Sequence, residues 1–353
     1  MQRPGSLLKM RLVASNVAVG ARRPSRAGAI ASRLMQSREL SFAGITIVLC
    51  LLVGYLTPNF LVLGNLQTTT AFVAIITIAA LGETLVIITK NIDLSVESMI
   101  GVVAYVVGNE LTQKHLSVPE AWMFGIAIGI GLGAVNGLVV TMLRVPSIVA
   151  TLGTLAIYRG IAFFVANGRD VVLGDLPVDY TQPAYQDFYG VPIFVILALF
   201  LIAVMAVIMK YTVFGREIYA VGSNADAAAT IGVRARVTVF SAFTLCGFFA
   251  GIAGILWGIY FGGIDSNTGL NESLVVIAAV VVGGVSIAGG SGTVIGAALG
   301  ALFLGLVNNA LPILNVDQSW LNVIYGAVIL VAVLADALIQ RRSERNKARS
   351  RLR

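Results

Sequence analysis

Histidine and cysteine, the side chains that supply imidazole and thiolate metal ligands and thiol redox chemistry, are nearly missing from this chain, which has one histidine, His115, and two cysteines, Cys50 and Cys246. A lone histidine beside Lys114 offers no ligand spacing for a metal. The two cysteines form no disulfide framework and, lying inside apolar stretches, read as small core residues. The Gly-x-x-x-x-Gly-Lys-Ser/Thr loop that cradles nucleotide phosphates is absent. The isolated Ser, Asp and Glu residues suggest no nucleophilic triad. The chain is expected not to be an enzyme, to bind no metal and to need no cofactor of its own.

Charge is scarce as well. Only 12% of the 353 residues are charged and 58% are apolar, where a soluble domain carries roughly 25% charged residues. Residues 40–82 and 273–316 contain no charged side chain at all. Each run is about two bilayer spans long at ~20 residues per span. A soluble core cannot hide such runs, so the fold class is all-α: a polytopic transmembrane helical bundle of about ten spans. They are expected near 41–57, 70–89, 94–111, 121–143, 146–166, 191–211, 237–261, 273–289, 292–311 and 319–338.

The net charge of +7 sits mostly in the tails: eight of the 24 Lys and Arg lie in residues 1–39 and seven in 341–353. Basic tails mark the cytoplasmic side and attract anionic lipid, so the lipid bilayer, and no nucleic acid, is the expected partner. The domain plan is a basic, disordered cytoplasmic arm (1–40) without signal-peptide features, a membrane domain (41–338) and a basic cytoplasmic tail (339–353). An even span count puts both termini in the cytoplasm. The loops agree. Those on the side of the tails would carry Lys90, Arg144, Lys210, Arg216, Arg234 and Arg236, and the opposite loops only Lys114 and Arg169. Acidic residues collect on the outer side.

Residues 81–108 and 281–305 can be laid over one another, each a span, a tight polar or Gly-rich turn and a second span. This reads as a weak internal duplication, a form common in transporters, with chance similarity between Gly- and Val-rich helices as the alternative. Most of the 38 glycines fall inside spans, where small residues let backbones approach closely. Gly289-Gly290-Ser291-Gly292 adds backbone freedom, so packing and hinge roles both fit that stretch.

Ionisable groups at membrane depth are costly and mark function or structure. Glu83, Glu97 and Arg159 are the candidates. Either Arg159 pairs with Glu83 or Glu97 to fix helix packing, or these residues line a polar substrate path with Asn136 and Asn271. Asp93 with Ser95 reads as a cap on the third span at the cytoplasmic edge.

The longest polar connection on the basic side is residues 212–236. Within it Asn224 can cap a helix, and Asp226 in the first turn suits the helix dipole. Ala225, Ala227, Ala228 and Ala229 favour helix, and Gly232 can stop it in a left-handed cap. A helix that short is marginal alone. It is either a solvated turn or a smooth docking helix near 225–231, with Gly222 just before it.

Asp226-Ala227-Ala228, three residues, then Gly232 resembles the Glu-Ala-Ala…Gly coupling loop of ABC importer permeases, with Asp for Glu. Phe214-Gly215-Arg216 and Tyr219-Ala220-Val221-Gly222 resemble the ribose-type branch. Thr89-Lys90-Asn91-Ile92-Asp93-Leu94-Ser95-Val96 is similar to that branch's Gly-Gly-Ile-Asp-Leu-Ser-Val-Gly block. Val145-Pro146-Ser147-Ile148-Val149-Ala150-Thr151-Leu152-Gly153-Thr154 and Val282-Gly283-Gly284-Val285-Ser286-Ile287-Ala288-Gly289-Gly290-Ser291-Gly292 match two more blocks. The departures at Lys90, Asn91 and Glu97 look like rhamnose-type and autoinducer-2-type members. The resemblance spans roughly residues 70–338. It implies an inner-membrane permease subunit importing a monosaccharide or related polyol, coupled through residues 222–232. The implied partners are a second permease, identical or paralogous, two cytoplasmic ATPase subunits that bind the ATP, and an external solute-binding protein. The alternatives are a branched-chain amino-acid-type permease of the same family and an ion-driven secondary transporter using Glu83 with Asn136.

Overall fold

The structure, a computed structural model, describes residues 38–334 save Ala332; the basic arm and the basic tail of the sequence reading fall largely outside those residues. The elements are α1 (Arg38–Leu56), α2 (Leu63–Ile88), α3 (Val96–Thr112), α4 (Val118–Thr141), α5 (Ser147–Ala166), a one-turn α6 (Val178–Thr181) and α7 (Ile193–Tyr211). After them come α8 (Val213–Ser223), α9 (Ala225–Thr230), α10 (Ala235–Phe261), α11 (Glu272–Val282), α12 (Val294–Ile313) and α13 (Trp320–Val331). A two-residue hairpin, β1 (Asp187–Phe188) with β2 (Val191–Pro192), is the one sheet among the described residues.

Six helices, α2, α4, α5, α7, α10 and α12, are long and apolar enough to cross a membrane. The other four expected spans fall on α1, α3, α11 and α13, which are shorter or carry more charge. Burial confirms an apolar solvent. The most apolar of the six, α7, is also the least buried, and large side chains such as Leu199, Phe200, Ile148 and Phe164 point outward. A lipid-facing surface of this kind needs no polar cover.

The centre is α2, buried almost all round from Thr69 to Ile88 and flanked by α10, α12, α7 and α11. The most extensive helix contact in the bundle is that of α10 with α4. Gly125, Gly129 and Gly133 recur every fourth residue on α4 and meet Gly247 and Gly251 of α10. A Cβ at Gly129 would strike the Gly247 carbonyl, and one at Gly247 would strike that of Gly129. Small-xxx-small spacing is what lets two backbones touch in this way.

The segment between α10 and α11 turns back into the bundle. Gly262, left-handed at φ 66°, ends α10. Val171 and Ile264 then exchange both backbone hydrogen bonds at 2.9 Å. From there the chain descends beside α3: Ile264 lies against Gly108, Thr268 against Gly101 and Gly269 against Glu97. The 11 helical steps from Glu97 to Gly108 cover about 16 Å at ~1.5 Å per residue. The eighth expected span, 273–289, is therefore corrected: α11 starts within the bundle beside Glu97, has 11 residues, and is joined to α12 by an irregular loop (283–293). Such broken helices persist only where protein surrounds them.

Candidate functional site

The polar connection between α7 and α10 folds as two helices. Thr212 opens α8, its Oγ1 accepting from the Gly215 amide at 3.2 Å. Ile218, Val221 and Gly222 form the buried face of α8. The sequence reading missed this helix, although Phe214, Ile218 and Val221 at i, i+4 and i+7 signal it. Asn224 is extended, at φ −163°, and so ends α8; its Oδ1 accepts from the Ala227 amide at 3.0 Å and caps α9. At the far end Gly232 is left-handed, φ 88°. The Gly232 amide donates to Ala229 O at 3.1 Å and the Val233 amide to Ala228 O at 3.1 Å, a Schellman closure. Both expected stops of this helix are thus present. Asp226 and Ala227 are exposed, whereas Ala228 turns inward and is buried.

Gly222 anchors this pair of helices to the bundle. A Cβ there would sit on the Ile88 carbonyl oxygen at the end of α2 and close to the Gly290 amide. The Gly290 amide in turn donates to Ile88 O at 2.9 Å, and the Tyr219 hydroxyl to Gly292 O at 2.8 Å. Gly289 and Gly290, at φ 84° and 73°, let the 283–293 loop fold into this contact without strain. The two segments read as an internal duplication therefore meet here, end of α2 against the loop before α12. Beside the junction is a cleft of about 710 Å³, lined among others by Lys90, Arg144, Arg236 and Asp226. The described residues hold two ion pairs, His115–Glu110 and Arg159–Glu97, so these three cations have no ion-paired acidic partner among the described residues.

Inside the bundle the expected path residues form two closed clusters. In the first, Asp93 is the hub. Its Oδ1 accepts from the Ser95 amide at 2.9 Å and the Ser95 hydroxyl at 2.7 Å, and its Oδ2 from Asn136 Nδ2 at 3.0 Å. The Asp93 amide donates to Glu83 Oε1 at 3.1 Å, and the Tyr158 hydroxyl donates to Asn136 Oδ1 at 3.1 Å. Asp93, Ser95, Glu83 and Asn136 are all fully buried. Asp93 is thus not a cap at a solvated edge, and it ties the loop before α3 to α2 and α4.

In the second cluster Arg159 Nη2 lies 3.6 Å from Glu97 Oε1, so Arg159 pairs with Glu97 and not Glu83. Arg159 Nη1 also donates to Thr268 O at 2.8 Å and Ser266 O at 3.2 Å. Glu97 Oε2 accepts from the Ser273 hydroxyl at 2.8 Å and its amide at 3.4 Å. Its charge therefore meets the positive end of α11, and the pair fastens the descending segment to α3 and α5. Asn271 is left-handed and exposed and joins neither cluster. None of Glu83, Glu97, Asn136, Arg159 and Asn271 lines the cleft beside α9. Among the described residues no group of three His, Cys, Asp or Glu could hold a metal.

Apolar side chains outside, polar clusters sealed within, a broken helix and a polar helical element at one end together define a membrane-embedded transport protein. The chain belongs to the family described as "Branched-chain amino acid transport system / permease component", whose model matches residues 65–333. It is similar to the autoinducer 2 import system permease protein LsrC of Escherichia coli O9:H4 (strain HS), 36% identical over 318 residues that cover 90% of this chain and 92% of that protein. The LsrC of Enterobacter sp. (strain 638) is 38% identical over 315 residues, 89% of this chain and 91% of its own. That of Salmonella typhi is 35% identical over 318 residues, 90% and 91% of the two chains. No solved structure matches the chain significantly. The resemblance to import permeases, and to their autoinducer-2-type members, is borne out. The chain is a permease component with the make-up of a multi-pass membrane protein.

Proposed function

We propose that the chain is the membrane-spanning subunit of an ATP-driven importer for a monosaccharide or related polyol, with force entering through α9. The observation that carries this reading is the pairing of an exposed, doubly stopped α9 with a glycine contact that joins α8 to the end of α2 and to the 283–293 loop. A push on α9 reaches the most buried helix directly. In this reading α9 and the basic cleft face the cytoplasm, two ATPase subunits engage them, and both termini lie on that side. A second permease copy or paralogue completes the pore, and an external binding protein delivers the solute. ATP is bound by the ATPase alone, and this chain supplies the path and the coupling.

Exposed α9 positions test the docking. Asp226→Lys and Ala227→Trp are expected to reduce ATP-dependent uptake at least tenfold with membrane insertion unchanged; Ala228→Trp would instead disturb packing, since Ala228 is buried. Uptake in vesicles that proceeds equally without nucleotide would favour an ion-driven carrier. Competition by leucine but not by sugars would favour the amino-acid solute in the family's description.

A further inference from the structure

On the face opposite α9 a second cavity, about 350 Å³, opens between α2, α10, α11 and α12. We propose that it is a binding vestibule for a neutral polyhydroxylated solute, a single sugar ring or short polyol; this rests on the importer reading above.

Its walls have two characters. Phe72 of α2 and Trp257 and Phe261 of α10 form an aromatic side, with centroids 4.6 Å apart for Trp257–Phe261 and 6.0 Å for Phe72–Trp257. Facing them are polar groups from other elements, among them Asn308 and Gln318, with Glu272 from the first turn of α11. Aromatic faces with a few convergent polar groups are how small-molecule sites combine area with orientation. The volume lies at the low end of the ~300–1,000 Å³ usual for such sites, which suits one ring and not a chain of them. Glu272 Oε2 is buried and has no hydrogen-bond partner among the described residues. A buried polar atom without a partner is unfavourable, and a carboxyl group accepts when ionised and also donates when protonated. A vicinal pair of hydroxyls, each both donor and acceptor, supplies the missing partner in either form.

Charge narrows the class further. Among the described residues no Lys, Arg or His lines the cavity, so nothing there balances an anion. A zwitterionic amino acid would need a positive counterpart for its carboxylate; beyond the neutral side-chain donors of the lining, the cavity has only the amino end of α11. That end is already taken, since Glu97 accepts from both the hydroxyl and the amide of Ser273. A neutral solute needs no counter-charge.

The test uses the full chain in lipid nanodiscs with Trp122→Phe and Trp320→Phe, which leaves Trp257 as the only tryptophan. D-ribose, L-rhamnose, ribitol and L-leucine are titrated against its fluorescence. At least one of the three hydroxylated compounds is expected to give a saturable change, weakened tenfold or more by Glu272→Ala and by Phe72→Ala and not reproduced by leucine. No saturable change with any of the three, a stronger response to leucine, or a response indifferent to both variants overturns the vestibule. Unfolding temperatures of the variants identify any that fail to fold, in which case Asn308→Ala carries the same expectation. ATP-driven uptake that ignores Glu272→Ala and Phe72→Ala overturns the vestibule and leaves the importer standing. The lack of ATP-driven uptake by the native chain overturns the importer itself.

Discussion

At Gly222 a single methyl group has nowhere to go, because the Ile88 carbonyl and the Gly290 amide occupy its place. Gly222→Ala is expected to cost about 1–3 kcal/mol, the usual range for overpacking a filled site, and to impair uptake as well. Gly232 gives the contrast. Nothing lies within 4 Å of a Cβ built there, but its φ is 88°, so Gly232→Ala meets only the backbone penalty of about 1–2 kcal/mol for a left-handed residue. Thermal unfolding in detergent measures both, and a Gly222→Ala loss well below about 1 kcal/mol would contradict the close-approach account. Asp93 poses a different problem, because both its oxygens accept. In Asp93→Asn one amide nitrogen must face a donor, Ser95 or Asn136, whichever way it is turned. A loss of about 1–3 kcal/mol is expected for the unmet group, and an unchanged unfolding temperature would contradict the hub. Arg159→Met strands Glu97, for which about 3–5 kcal/mol is expected; adding Glu97→Met should recover part of it, as a double-mutant cycle would show.

Between helices, the account concerns what connects α9 to the rest. Tyr219 reaches from α8 to the Gly292 carbonyl, so Tyr219→Phe should loosen that link by about 1 kcal/mol, a typical net hydrogen bond. The expected readout is lower uptake per ATP hydrolysed, with binding of the ATPase retained; unchanged coupling would show that the loop before α12 takes no part. The short helix itself was legible in the sequence because caps and stops are local: Asn224 and Gly232 act within three residues of the bonds they make. The preceding α8 was harder to see, since a polar surface face hid its three apolar positions. Asp93 was misread because its partners, Glu83 and Asn136, come from other helices. The half-length of α11 was equally hidden. An apolar run of helix and an apolar run of half-buried loop look alike in sequence.

Across the whole molecule, composition settled the solvent. Two charge-free runs of double-span length belong inside a membrane, and the least buried of the six membrane-length helices is the most apolar. Composition could not give the two cavities, whose walls are drawn from elements far apart in sequence: Phe72, Trp257 and Asn308 meet only when α2, α10 and α12 pack. The molecule thus has a basic cleft beside α9 at one end and an aromatic, acidic vestibule at the other, with sealed polar clusters between them. That polarity is what an importer driven from one side requires. It depends on which way α9 faces. In a chain with Cys50→Ala and Cys246→Ala, Ala227→Cys can be challenged with a membrane-impermeant maleimide on intact cells and on inverted vesicles. The account predicts labelling in inverted vesicles only; labelling of intact cells from outside would contradict it.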